Sequence, residues 1–261
     1  MVDGAVGAQR SGTAADRIVF LGHATVLIEL EGVRVLTDPL LRGGVVHLRR
    51  QVPAVEASVA ADPDAVLISH LHHDHLDLGS LRRLGVDTPL IVPAGAGAWL
   101  ERRGFTRAGE LSAGESAKVG ALTVTAVEAH HDARRPGAPR AEPLGYLVSG
   151  RQTVYFAGDT ELFAGMADLS PSPDVALVPI AGWGAKLGPG HMDPLDAARA
   201  VELIQPRIAI PVHWGTLRPI GLGRHHRERL SEPPRLFVEH VALRAPNVEV
   251  RTLTPGQQTM L

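Results

Sequence analysis

Short runs of β-branched and aliphatic residues alternate with stretches of helical spacing along most of this chain. Runs at 18–21, 26–29, 33–36, 65–68, 90–92, 122–128, 144–149, 153–157, 175–178, 208–210 and 248–253 predict strands. Helices are predicted over 80–84, 96–103, 161–169, 194–204 and 235–243. Strands and helices mixed along one chain indicate a layered α/β protein. Gly32-Val33 and Gly150-Arg151 read as hairpin turns. Hairpins join antiparallel neighbours, which disfavours a wholly parallel, doubly wound sheet.

The helix at 194–204 carries its own punctuation. Asp193 can cap it, Pro194 suits its first position, Asp196 favours the positive end of the dipole, and Pro206 helps to stop it. The wholly apolar run 65–68 reads as a buried central strand, and it ends in Ser69-His70. Two other strands end the same way: one runs through Pro211-Val212 to His213, the other through Ala157-Gly158 to Asp159. Each delivers a polar side chain to the rim of a sheet. Stretches 132–143 and 215–234 read as long surface loops, and long loops in compact domains tend to be functional or mobile. No low-complexity linker divides the chain, so a single domain over 18–261 is expected after a loose Gly/Ala-rich tail at 1–17.

Composition narrows the picture. With 261 residues, 44% hydrophobic and 21% charged, the chain has ample material for a core without a staple. A formal net charge of −2 argues against nucleic-acid binding driven by charge. Cysteine is absent, which removes disulfides, thiolate metal ligands and a Cys nucleophile. The first 17 residues lack a basic stretch followed by an apolar one, so no secretory leader is expected. No window reaches the ~18–20 apolar residues of a membrane span. A cytoplasmic protein without stable membrane insertion is the expectation, with a homo-oligomer left open.

The chain has 13 histidines, and the strongest chemical signal is one cluster of them, His70-Leu71-His72-His73-Asp74-His75. Its donors cannot all face one way on a regular helix or strand, but on a loop leaving a strand they can wrap around a centre. Imidazole and carboxylate suit zinc, and also manganese or iron. Burying so many imidazoles without a cation would be costly. Further donors stand at strand ends: His131, Asp159 and His213.

The series His70-x-His72-x-Asp74-His75, then His131, Gly158-Asp159-Thr160 and His213, resembles the metallo-β-lactamase superfamily over roughly 18–253. Leu21-Gly22-His23-Ala24-Thr25, Leu36-Thr37-Asp38-Pro39, Gly190-His191-Met192-Asp193-Pro194 and Pro211-Val212-His213-Trp214-Gly215-Thr216 are similar to the branch holding L-ascorbate-6-phosphate lactonase and N-acyl-phosphatidylethanolamine phospholipase D. The resemblance implies a four-layer αβ/βα sandwich with the site at one edge. It implies that His70, His72 and His131 hold a first metal, that Asp74, His75 and His213 hold a second, and that Asp159 bridges them. Two such ions can generate a bridging hydroxide that attacks carbonyl carbon or phosphorus. His130 competes with His131 for one ligand position; alignment with the family's Val-Pro-Ala-x-His favours His131, although Glu128 and Ala133 depart from the pattern around it.

The expectation is therefore a dinuclear hydrolase, with zinc first among the metals, cleaving an ester, lactone or phosphodiester of a small polar substrate. Asp74 and His191 are the candidate catalytic groups: Asp74 steers a proton, and His191 stabilises an oxyanion or protonates a leaving group. Helix capping is the plainer role for His191. His23, Trp183 and Trp214 are candidate substrate contacts, with packing the alternative for both tryptophans. His73 reads as pointing away from the metals. Asp38 and Asp64 read as turn-fixing or supporting residues, and His47 and His240 as structural or surface histidines. The charge run at 224–229 reads as a solvated face, or as an anion-holding lid. The alternatives are a phospholipase-D-like phosphodiesterase acting on a lipid head group and a non-catalytic metal-binding protein.

Overall fold

The computed structural model describes residues 15–182, 187–221 and 227–261. Strands β1 (Arg17–Gly22), β2 (Thr25–Leu30), β3 (Val33–Thr37), β6 (Ala65–Leu67), β7 (Leu90–Pro93), β8 (Ala108–Leu111) and β17 (Gln258–Met260) form one seven-stranded sheet in the order β17-β1-β2-β3-β6-β7-β8. A second sheet contains β9 (Ser116–Val119), β10 (Leu122–Glu128), β11 (Leu144–Ser149), β12 (Thr153–Phe156), β13 (Val175–Pro179), β14 (Ile208–Val212) and β16 (Glu249–Val250). Its order is β16-β14-β13-β12-β11-β10-β9. Each sheet is antiparallel in one half and parallel in the other: β3, β6, β7 and β8 run together in the first, β12, β13, β14 and β16 in the second. The hairpins read at Gly32 and Gly150 are present, joining β2 to β3 and β11 to β12.

The two sheets pack face to face. Ile18, Phe20, Val26, Ile28, Val35 and Leu67 of the first meet Val124, Tyr146, Val148, Phe156, Leu177 and Ile210 of the second in one dry cluster. The outer face of the first sheet is covered by α2 (Leu78–Leu84) and α3 (Gly97–Glu101), with α1 (Ala57–Ala60) nearby. The outer face of the second is covered by α4 (Pro194–Ile204) and α5 (Arg227–Arg244). This is the expected four-layer αβ/βα sandwich. A small third sheet, β15-β5-β4, joins β4 (Gly44–Val45), β5 (Leu48–Arg50) and β15 (Leu217–Pro219).

Differences from the sequence reading have local causes. Glu161–Leu169 was expected to be helical; only a 3-10 turn forms over Ala164–Asp168, in a segment interrupted by Gly165, a poor helix former. Helix α5 begins at Arg227 rather than 235, because Pro233 and Pro234 inside it read as breakers. Over 248–253 only Glu249–Val250 pairs. Residues 1–14 of the expected tail lie outside the described residues. Asp16 and Arg17 belong to the first sheet: the Asp16 carboxylate accepts from Glu31 N at 2.7 Å, its carbonyl accepts from Leu261 N at 3.0 Å, and Arg17 pairs with Met260.

Candidate metal centre

Every donor of the cluster leaves the end of a strand at the same edge of the sandwich. Asp38 follows β3, His70 to His75 follow β6, His131 follows β10, Asp159 follows β12 and His213 follows β14. In open α/β sheets the crevice beyond the strand carboxyl ends is where ligands bind. Local backbone strain marks the place. His23, Asp38 and His213 have φ of 56°, 34° and 61°, left-handed values uncommon outside glycine and retained mainly at functional sites. Gly158 (φ 62°) is needed for space as well: a Cβ there would meet the Ser69 Cβ at 2.7 Å, so only glycine lets β12 deliver Asp159 against the β6 loop.

The outer hydrogen bonds of the imidazoles settle which nitrogen faces inward. His75 Nδ1 donates to the buried Asp38 carboxylate at 2.7 Å. His213 Nδ1 donates to Ala181 O at 2.8 Å, and His131 Nδ1 to Gly190 O at 2.8 Å. The Ser69 hydroxyl donates to Asp38, so His70 Nδ1 donates to Ser69 Oγ at 3.0 Å. In each ring the Nε2 lone pair is then turned toward the centre. Across the centre these inward-facing groups approach one another closely. His75 Nε2 faces His213 Nε2 at 3.2 Å, and His131 Nε2 faces His72 Nδ1 at 3.1 Å. Asp159 Oδ2 lies 3.2 Å from His75 Nε2, and Asp159 Oδ1 lies 3.2 Å from His213 Nε2. His70 Nε2 and Asp159 Oδ1 are buried without any hydrogen-bond partner. Nitrogens and carboxylate oxygens gathered this closely away from water need protons or a cation among them, and His70 Nε2 and Asp159 Oδ1 have neither.

Four overlapping groups have ligand atoms within 4.8 Å of one another; two of them are His70, His72 and His131, and His23, Asp74, His75 and His213, and a third joins Asp38, His70 and His75. Asp159 stands between, in contact with His75 and His213 and grouped with His131 and His191. The electrostatics agree. Burial opposes the charged form of His75, but Asp159, Asp38 and Asp74 outweigh it and raise its pKa well above the ordinary value. Burial alone would raise the pKa of Asp159; His213 and His75 instead hold it well below the usual carboxylate range. Burial pushes His213 down to about 3 and His70 well below the ordinary imidazole value. The centre is a buried pocket of imidazoles and carboxylates at ligand spacing, and the residues present fit divalent cations.

Around this core the sequence candidates divide. His130 is exposed, stacks on Phe163 at 4.2 Å and stands outside the donor groups, whereas His131 stands within them. His73 is exposed at the pocket rim, outside the donor groups. Asp38 has the supporting role expected of it. His191 stands over the centre: its Nδ1 donates to the Gly188 and Pro189 carbonyls, and its Nε2 lies 3.4 Å from Asp159 Oδ2. Burial opposes its charge, but Asp159 raises its pKa above the ordinary value, so it is a donor toward the pocket. His23 does not face substrate. It is buried, 3.0 Å from Asp74 Oδ2 and with its ring 4.0 Å from that of His213, because the tight β1–β2 turn folds it beneath the donors. Trp214 is likewise packing: it stacks on Phe20 and donates to Pro211 O at 3.0 Å. Trp183 lies outside the described residues, as do residues 224–226 of the charge run.

Arg135 was missed. Its guanidinium donates to the carbonyls of Leu71 and Leu76, both at 3.0 Å, and so clamps the two ends of the donor loop. A single arginine in a proline-rich loop carries no signal of that role. Also unforeseen is the wall of the cavity beside the centre, of about 410 Å³, which the β4–β5 hairpin and Leu187 line with apolar side chains.

With the geometry in place, comparison with known proteins places the chain. The family model described as "Beta-lactamase superfamily domain" matches residues 33–214. The chain belongs to the beta-lactamase superfamily. It is 35% identical over 250 residues to a UPF0173 metal-dependent hydrolase of Methanopyrus kandleri, covering 92% of this chain and 98% of that one. It is 30% identical over 243 residues to an N-acyl-phosphatidylethanolamine-hydrolyzing phospholipase D of Caenorhabditis elegans, covering 82% and 68%. Igni18, a metallo hydrolase of Ignicoccus hospitalis, matches in structure with a TM-score of 0.74 and 25% identity over 95% of this chain and 99% of that one. Among the described residues no helix is long and apolar enough to cross a membrane.

Proposed function

We propose that this superfamily member, a metal-dependent hydrolase, holds two divalent cations and uses them to hydrolyse an ester, lactone or phosphodiester bond. His70, His72 and His131 hold one cation, Asp74, His75 and His213 the other, and Asp159 bridges the pair. Zinc suits this nitrogen-rich donor set, with manganese or iron as alternatives. The single observation that carries the reading is the convergence of imidazole nitrogens and carboxylate oxygens, at 3.1–3.2 Å from one another, at one edge of the sandwich. When bound, such a pair of ions supplies Lewis acidity and water ionised near neutral pH.

The chain's own residues supply the rest. Asp74 is kept ionised despite its burial by His75, His23 and His213, and so remains a proton acceptor for the attacking water. His191, on the pocket side of Asp159, donates to the oxygen on which charge develops or protonates the leaving group. A non-catalytic site is disfavoured, because a structural metal site closes with four donors, whereas this cluster offers more and opens on a cavity. A phosphodiesterase acting on a lipid head group is the second reading, favoured by the Caenorhabditis elegans relative.

Paired variants test the reading. Asp159→Ala is expected to retain at most one cation per chain and to lose hydrolysis; His191→Ala is expected to keep both cations while kcat falls roughly 10²–10⁴-fold. Metal analysis beside assays with and without chelator measures both. A fully loaded Asp159→Ala protein, or a fully active His191→Ala protein, removes that residue from its role.

A further inference from the structure

We propose that the part of the substrate beyond the scissile bond is an apolar chain, held by the β4–β5 hairpin. This rests on the hydrolase reading and names the substrate class of the same site. The cavity beside the donors has Asp159 and His191 at its base and Val45, Val46, Leu48 and Leu187 among its walls. The polar side chains that line it, His47, His72, His73 and Asp74 beside Asp159 and His191, include the metal donors, whereas the hairpin aliphatics and Leu187 give the wall its apolar surface. Its size, about 410 Å³, is at the small end of the range for single small ligands.

The hairpin itself points the same way. Val45 and Leu48 pair across it and pack on Leu40 and Leu217, which fixes the base of the flap. The two-residue turn between them begins with Val46, at φ 48°. A β-branched residue is a true outlier there, where glycine or asparagine would be cheaper. Val46 is also 67% exposed, so no core contact explains its presence. An apolar side chain held out at the mouth of the cavity, at a cost in backbone strain, is explained by an apolar ligand that covers it. The substrate is a dissolved, single-chain ester or lactone, since a cavity of this size has no room for two chains.

The test uses the zinc-loaded full chain and p-nitrophenyl esters from acetyl to octanoyl. The expected result is a rise in kcat/KM of roughly two- to fourfold per methylene up to about six carbons, and slower cleavage of chains ending in carboxylate. Val46→Gly, which relieves the strained turn, is expected to keep its metal content while the hexanoyl-to-acetyl ratio of kcat/KM falls about three- to tenfold. Calorimetry with acetohydroxamate and octanohydroxamate supplies a readout independent of turnover. Cleavage with a flat chain-length profile overturns the apolar wall and leaves the hydrolase standing. Absent cleavage with octanohydroxamate bound far more tightly, and that preference lost in Val46→Gly, sustains the wall and removes the ester as the bond cleaved. Absent cleavage with flat affinities overturns both. Faster cleavage of the same acyl group on a phospholipid in vesicles overturns the dissolved source.

Discussion

Asp38 shows how much one side chain away from the metals decides. It is fully buried, accepts from Ser69 N at 2.7 Å and from the Ser69 hydroxyl, and receives the Nδ1 proton of His75. Through Ser69 it also governs the tautomer of His70, so one carboxylate turns two imidazoles inward. Asp38→Asn keeps the shape but allows the amide to rotate and offer a donor to His75. The expected outcome is roughly 10–100-fold weaker uptake of cation, read by competition with a calibrated chelator. Unchanged affinity would reduce Asp38 to a turn residue. His23 gives the converse lesson: its place in a short turn between two strands suggested a pocket wall, and only the fold shows it pressed on Asp74.

Helix α4 is the clearest case at the scale of an element. The Asp193 carboxylate accepts from Leu195 N and Asp196 N, both at 2.9 Å, as its sequence punctuation implied. The cap follows His191 by two residues, so the same turn ends the pocket segment and begins the helix. Asp193→Ala is expected to cost about 1 kcal/mol, seen as a fall of roughly 2–4 °C in the thermal midpoint. A midpoint unchanged in scanning calorimetry would show that the first turn is held by packing alone. The elements missed from the sequence were those with no packing signature of their own. Strands β8, β9 and β17 are short and lie at sheet edges, so their pairing partners, not their side-chain pattern, define them.

Across the whole molecule the donor cluster makes stability depend on pH. In the metal-free protein, burial pushes His70, His72, His131 and His213 below the ordinary imidazole value. Such groups take up protons in the unfolded chain before they do so in the fold. Their contribution is present above about pH 6.5 and is lost as pH falls below it. His75 and His191 are raised despite burial, by the carboxylates around His75 and by Asp159 at His191, so their contribution runs the other way and is lost as pH rises through their folded values. Asp74 and Asp159, held low by neighbouring histidines against burial, add a loss only below about pH 4. With the exposed His73 also lowered, five depressed histidines stand against two raised ones, and a net loss is expected from pH 7 to 5. Thermal midpoints of the metal-free protein should fall over that interval, and more steeply for the loaded protein, whose donors must be deprotonated to bind. A flat or rising profile would contradict this balance.

The donors, the layered α/β class and the strand ends that carry His70, Asp159 and His213 were legible in the sequence. Each is a local matter, set by residue type, by apolar runs or by spacing along the chain. His131 over His130, the tautomers imposed by Asp38 and Ser69, the Arg135 clamp and the apolar hairpin beside the centre were decided only by the tertiary structure. They depend on which strand lies next to which. That adjacency comes from two sheets burying their inner faces together, and it relates residues far apart in the chain that no local pattern connects.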